Sequence, residues 1–235
     1  WSGLPAPHRT LYVETEQGHG DAIQFARLLR FAKARVERCV LMARPEQCAL
    51  LGTAEGVDAT VTKSEKLPAD ALHVSLMSLP HLLACDDETR RMDRAYLAAD
   101  PARVARWRDW LGTIPGRRIG ICWQGTPGIQ PDLGRSMSPA AFAPLARIPD
   151  VTLISLQKRH GEDRLGSLPD SIRVVSPPDG FDDGPGAFLD SAALIMSLDH
   201  VVAVDTAIAH LGGALARPVS LLLRKIPDWR WGLEG

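Results

Sequence analysis

The 235-residue chain reads as an α/β protein built from two parallel-sheet domains. Three observations carry this expectation. Short apolar runs alternate with amphipathic stretches from about residue 10 onward, the pattern of strand-helix-strand units that form parallel sheets with helices on both faces. The alternation is interrupted by polar, irregular sequence over residues 86–100. It then resumes as a second series from Arg118. The interruption divides the chain into domains at 1–98 and 99–235, and no short solenoid-type repeat is present.

In the first series, Thr10 to Glu14 reads as a strand. Asp21 to Ala34 reads as a helix with Ala22, Phe25, Leu29 and Ala32 on one stripe. Arg38 to Ala43 is the next strand, Pro45 to Leu51 a short helix, Asp58 to Thr62 and Asp70 to Leu76 strands, and Leu79 to Ala84 a short helix. Asp100-Pro101 opens a helix to Leu111, with proline at the first helical position. After the break at Thr113 to Gly116 come a strand (Arg118 to Trp123), a long Gly/Pro-rich loop (124–137) and a helix from Ser138-Pro139 to Arg147. Strands at Val151 to Leu156 and Ile172 to Val175, a helix at Gly186 to Leu198, a strand at Val201 to Val204, a helix after Asp205-Thr206 and a strand at Val219 to Leu223 complete the series.

A net charge of −1 supplies no cationic field for nucleic acid or an anionic membrane. Arginines 90, 91, 94, 103, 106 and 108 interleave with acidic residues as a solvated helical face would. Apolar runs fall well short of the about 18 residues a membrane span needs, and no signal peptide is visible, so a cytoplasmic setting is expected. The four cysteines form no C-x-x-C pair, and Cys39 and Cys122 fall in strand-like runs as core residues. The acidic pairs Asp86-Asp87 and Asp182-Asp183 do not closely follow apolar strands, and His73, His81 and His160 lack ligand spacing. No metal site and no bound cofactor are expected. Serine in a G-x-S-x-G elbow is also missing, which removes the anchor of a hydrolase triad. The chain starts at Trp1 and stops soon after a Trp-rich segment, as a piece of something longer would.

Ligands of open parallel sheets lie beyond the carboxyl ends of the strands, which directs attention to three loops and one helix start. Glu14 to Asp21 follows the first strand. Gly18 and Gly20 allow close approach of backbone, and Asp21 either caps the helix or faces the cleft as a proton acceptor. In the loop after Trp123, Arg135 and Ser136 are candidate phosphate donors. Past the strand ending at Ser155, Gln157 offers an amide and Lys158 a charge. Finally, Val204 to His210 runs a strand into a helix that begins Asp205-Thr206-Ala207. A helix start carries unpaired N–H groups and partial positive charge, and His210 lies one turn on. An ordinary capped junction is the alternative there.

Taken together, these segments resemble bacterial heptosyltransferase-like domains of glycosyltransferase family 9, a group that often follows tetratricopeptide repeats. Glu16-Gln17-Gly18-His19-Gly20-Asp21-Ala22-Ile23-Gln24-Phe25-Ala26-Arg27 resembles the family's E-Q-G-x-G-D-x-x-Q-F-x-R segment. Arg135-Ser136, Ser155-Leu156-Gln157, Val204 to Leu211 and Pro227-Asp228-Trp229-Arg230-Trp231 follow in family order. The chain departs from the pattern at His19, between the two glycines. The resemblance implies a GT-B fold: two Rossmann-like domains facing across a cleft, the first on the acceptor side and the second binding the nucleotide sugar, with the C-terminal end cut short. It implies a metal-independent inverting sugar transfer from a nucleotide-diphosphate donor to a saccharide or protein acceptor. By the same resemblance Asp21 is the general base. Gly18, Gly20, Arg135, Ser136, Gln157, Asp205, Thr206, Ala207 and His210 form the donor and diphosphate site.

Two other classes remain in play from sequence. One is a GT-B module that retains binding or protein interaction without turnover. The other is a dinucleotide-dependent oxidoreductase, for which neither G-x-G-x-x-G nor a P-loop is present.

Overall fold

The computed structural model describes residues 1–63, 66–84, 94–127 and 134–231. Asp86-Asp87, Cys85, the arginines at 90 and 91, and the middle of the loop after Trp123 lie outside them.

The first sheet contains β1 (Ala6–Glu14), β2 (Val36–Ala43), β3 (Ala59–Thr62) and β4 (Leu72–Ser75) in the order β3-β2-β1-β4, all parallel. Helices α1 (His19–Ala26), α2 (Leu29–Lys33), α3 (Pro45–Leu51) and α4 (Leu79–Leu82) connect them. The second sheet contains β5 (Arg117–Cys122), β6 (Val151–Ser155), β7 (Val174–Val175), β8 (His200–Val204) and β9 (Val219–Leu222), again parallel, in the order β7-β6-β5-β8-β9. Its helices are α5 (Pro101–Gly112), α6 (Ala143–Ala146), α7 (Leu189–Ile195) and α8 (Ala207–Ala214). Two parallel α/β domains are therefore present, as the alternation predicts.

Period-two burial explains how the second sheet is covered on both faces. Ile121, Trp123, Leu153 and Val202 pack with Phe142 on one side, while Cys122, Ile154, Val201 and Ala203 join the large core on the other. Trp123 is fully buried, and its indole N–H donates to the Gly161 carbonyl at 3.2 Å, which satisfies its one polar atom. The large core is continuous across both domains, from Leu11 and Val13 in β1 to Ile208 and Leu211 in α8.

Several elements differ from their expected bounds. The stripe Ala22, Phe25, Leu29 and Ala32 is buried throughout, yet the expected single helix is two. The Leu28 N–H turns back to the Phe25 carbonyl in a tighter i→i−3 bond, and the axis restarts at Leu29. β1 begins at Ala6 because Ala6 pairs with Val36, with a register shift before Thr10 that hides the pairing from a periodicity argument. The helix expected from Gly186 starts only at Leu189, after Phe188 in a left-handed conformation (φ 63°). The helix over 138–147 is a 3-10 turn (Pro139–Phe142) followed by α6. Asp100 caps α5 as expected, accepting from the Ala102 N–H at 2.8 Å.

Candidate functional site

Strand order reverses between β5 and β8 in the second sheet, which makes the carboxyl ends of these two strands its topological switch point. Cys122 ends β5 and Thr206 follows β8, and their Sγ and Oγ1 atoms stand 3.6 Å apart. Burial pushes the Cys122 thiol up to about 11, which keeps it protonated. Thr206 occupies the N-cap position of α8 with extended backbone (φ −140°, ψ 171°). Its hydroxyl turns back to the Val204 carbonyl at 3.2 Å instead of capping the helix. The Ala207 and Ile208 N–H groups consequently have no backbone partner among the described residues. An open helix start at a switch point can hold an anion.

Arg135 and Ser136 reach the same end of the sheet. The Ser136 hydroxyl accepts from the Gly125 N–H at 3.1 Å, and the Arg135 guanidinium lies over Gly125, where any Cβ would overlap it. Gly125 is thus the residue that lets this arginine lie flat beside the end of β5.

Gln157 is also here, but its chemistry is spent. Its Oε1 accepts from the Trp123 and Gln124 N–H groups, both at 3.0 Å, and from the Cys122 thiol at 3.4 Å. Its Nε2 donates to the Gln124 and His160 carbonyls at 2.9 and 2.8 Å. Gln157 is thus a buried bracket that shapes the 123–125 turn, with its amide oxygen and nitrogen both engaged by protein groups. Lys158 pairs with Asp183 at 2.8 Å.

In the first domain, Gly18 is the N-cap of α1 and Asp21 sits at its third position. Asp21 Oδ2 accepts the Gly18 N–H at 3.0 Å, the carboxylate half of a capping box. Glu16 accepts the Met77 N–H at 2.9 Å, tying the loop after β1 to the end of β4. His19 contacts Gln47 at 3.4 Å and meets Phe188 of the second domain edge-on at 5.2 Å. Burial, reinforced by the Arg44 charge, holds its imidazole below the ordinary value. Beneath it lies a cavity of about 10 Å³, lined by Ile23, Gln47, Leu50 and residues 187–188.

The two half-sites meet along α1 and α8. A Cβ placed on Gly20 would stand 3.0 Å from His210 Cδ2 and 3.6 Å from Ala207 Cα, so the starts of the two helices are nearly in contact. His210 is 8 % exposed and stacks on the Trp231 ring at 4.7 Å and 14°. Its Nε2 stands 3.9 Å from Asp205. Burial drives the His210 imidazole down to about 4, against the opposing pull of Asp205. Its ring faces the domain interface. Asp21 Oδ1 pairs with Arg230, whose Nε and Nη2 are gripped by Asp228 at 2.8 and 3.1 Å. A further domain contact is the Ala187 N–H to the Glu46 carbonyl at 2.7 Å.

No family model matches the sequence. Protein FlbA of Caulobacter vibrioides is 26% identical over 258 residues. That alignment takes in 100% of this chain and 42% of FlbA, so the chain spans well under half of that relative. Among solved structures, the family 9 glycosyl transferase of Veillonella parvula superposes with TM-score 0.70, covering 95% of this chain and 83% of the other at 11% identity. The fold is that of family 9 glycosyltransferases. E. coli ADP-heptose lipopolysaccharide heptosyltransferase II gives TM-score 0.60 at 13% identity over 90% and 84% of the two chains. E. coli heptosyltransferase WaaC, solved with ADP-2-deoxy-2-fluoro heptose, gives 0.59 at 12% identity over 94% and 90%.

Within this glycosyltransferase fold, Arg135, Ser136, Asp205, Thr206 and Ala207 gather at the β5–β8 switch point. From α1, Gly20 packs on Ala207 and His210 and Asp21 reaches Arg230, while Gly18, the N-cap, bonds to Asp21. The residues without an expected role are Asp228, Arg230 and Trp231, which close the junction from the far end of the chain. Their signal in sequence is an arginine between tryptophans, two residues past an aspartate, just after the last strand. Among the described residues no group of three or more His, Cys, Asp or Glu is arranged to hold a metal ion. No described helix is long and apolar enough to cross a membrane.

Proposed function

We propose that this chain is a glycosyltransferase domain that moves a sugar, with inversion and without a divalent metal, from a nucleotide-diphosphate donor to an acceptor hydroxyl. One observation carries the reading: Asp21 and the open start of α8 come from different domains, yet Gly20, beside Asp21, packs on Ala207. Asp21 would accept the acceptor's proton. The Ala207 and Ile208 N–H groups, with Arg135 and Ser136, would hold the departing diphosphate, whose charge grows as the glycosidic bond breaks. Solved neighbours carry ADP or an ADP-heptose analogue, which makes ADP sugars the first donors to test. A saccharide or protein acceptor, a cytoplasmic setting and tetratricopeptide repeats elsewhere in the parent protein belong to the same proposal.

The test is release of nucleoside diphosphate from a panel of ADP, GDP, UDP and CDP sugars. Turnover by the unaltered chain is expected to fall by about 100-fold or more in Asp21→Asn, with donor binding retained. Equal turnover in both proteins would remove Asp21 from the chemistry. A second reading, a module that binds the donor without turning it over, is favoured by the fact that both Asp21 oxygens already have protein partners. Binding by the unaltered chain without any transfer or hydrolysis would select it.

A further inference from the structure

Arg230 is shared between two carboxylates in an unequal way. Asp228 holds its Nε and Nη2 edge in a two-point fork, and the remaining corner, Nη1, reaches Asp21 across the domain interface. The Arg230 N–H also donates to Asp228 Oδ1 at 3.0 Å, so the fork is fixed to its own backbone. Trp231, next along the chain, stacks on His210, a turn into α8. The arginine is thereby anchored beside the helix start read above as the diphosphate site. Both partners are about four-fifths buried, with side-chain exposures of 19% for Arg230 and 20% for Asp21.

Resting on the glycosyltransferase reading, we propose that Arg230 is a two-position residue: it neutralises Asp21 in the empty site and moves its Nη1 corner to the donor's diphosphate when that arrives. Because the guanidinium is planar and rigid, Nη1 moves only as the whole group pivots. The Asp228 carboxylate turns with it and keeps the Nε and Nη2 edge in both positions. A diphosphate offers several anionic oxygens and outcompetes a single carboxylate for a guanidinium donor. Losing its cation, Asp21 becomes the free base that the acceptor hydroxyl needs. Proton acceptance is then coupled to donor occupancy, and an empty site keeps its base masked.

Coupling of this kind is reciprocal, so it is readable in binding alone. Isothermal titration with the best-bound of ADP, GDP, UDP and CDP would be run on the unaltered chain, Asp21→Asn, Arg230→Gln and the double variant. Arg230→Lys, which keeps the charge without the fork, serves as the conservative control, and thermal unfolding checks that each variant is folded. Releasing Arg230 in Asp21→Asn is expected to tighten diphosphate binding roughly five- to tenfold. Arg230→Gln is expected to weaken it by about tenfold, Arg230→Lys to recover only part of that loss, and the double variant to bind no tighter than Arg230→Gln. If Asp21→Asn tightens binding equally in both backgrounds, Asp21 is merely a nearby negative charge and the proposal is overturned. Unchanged affinity in Asp21→Asn overturns it as well. If no nucleoside diphosphate binds any of the proteins, the glycosyltransferase reading itself fails and takes this inference with it.

Discussion

Gly20 and His210 set how closely the two domains approach. The glycine backbone is ordinary, so the constraint is space: a methyl group there would press on a ring already pinned by Trp231. Gly20→Ala is expected to cost about 1–3 kcal/mol in urea unfolding, the usual penalty for overpacking a rigid contact. Unchanged stability would mean the helices can part freely. His210 gives a second expectation. Its folded value near 4 lies below the about 6.5 of an exposed imidazole, so the unfolded chain binds the extra proton between these values. Stability therefore falls as pH drops from about 7 toward 4, by about 2 kcal/mol at pH 5. Urea titrations at the two pH values measure it, and His210→Phe is expected to flatten that slope. At this scale the sequence was legible where chemistry is local. The Gly18–Asp21 capping box spans four residues, and a capping role was one of the two readings of Asp21. The Asp21–Arg230 pair is separated by 209 positions, and no local pattern announces it. Gln157 shows the opposite limit: a polar residue past a strand looked available, and its burial under two backbone turns could not be read from its neighbours in sequence.

Among the elements, α5 and α7 are joined by a buried polar node. Asp190 Oδ1 accepts from Arg103 at 2.7 Å, from the Trp107 indole at 2.9 Å and from Arg106, while its Oδ2 accepts the Asp182 N–H at 3.1 Å. Burial alone would raise the Asp190 carboxyl, but the donors from Trp107 and Arg103 outweigh it and hold it below the ordinary range. Neighbouring Asp182 goes the other way, raised by burial despite its bonds to Ser191. Asp190→Ala is expected to destabilise the chain by about 3 kcal/mol, since it strands buried donors. Arg106→Ala is expected to cost under about 1 kcal/mol, because the Arg106 side chain is 60% exposed. Equal costs in denaturant unfolding would show that the node is not organised around Asp190. Apolar alternation placed every strand, and Asp100-Pro101 placed the start of α5. The division between α1 and α2 was not legible, because the buried stripe continues unbroken through the turn at Leu28.

At the scale of the whole molecule, α1 after β1 and α8 after β8 pack start to start, and a single core runs through both. The order of strands, and with it the switch point, follows from topology that sequence alternation alone leaves open. Once β5 and β8 are placed side by side, Cys122 at the end of one meets Thr206 after the other, and the fold of the loop after Trp123 then lays Arg135 and Ser136 on Gly125. The central claim is that this switch point receives a nucleoside diphosphate. Thermal unfolding of the unaltered chain and of Arg135→Ala with nucleosides, monophosphates and diphosphates of A, G, U and C tests it most directly, because a ligand bound to the native state raises apparent stability. One diphosphate is expected to raise the unfolding temperature more than its monophosphate does, an increase largely lost in Arg135→Ala. A flat response across the whole series, or a rise that Arg135→Ala leaves intact, would contradict the central claim.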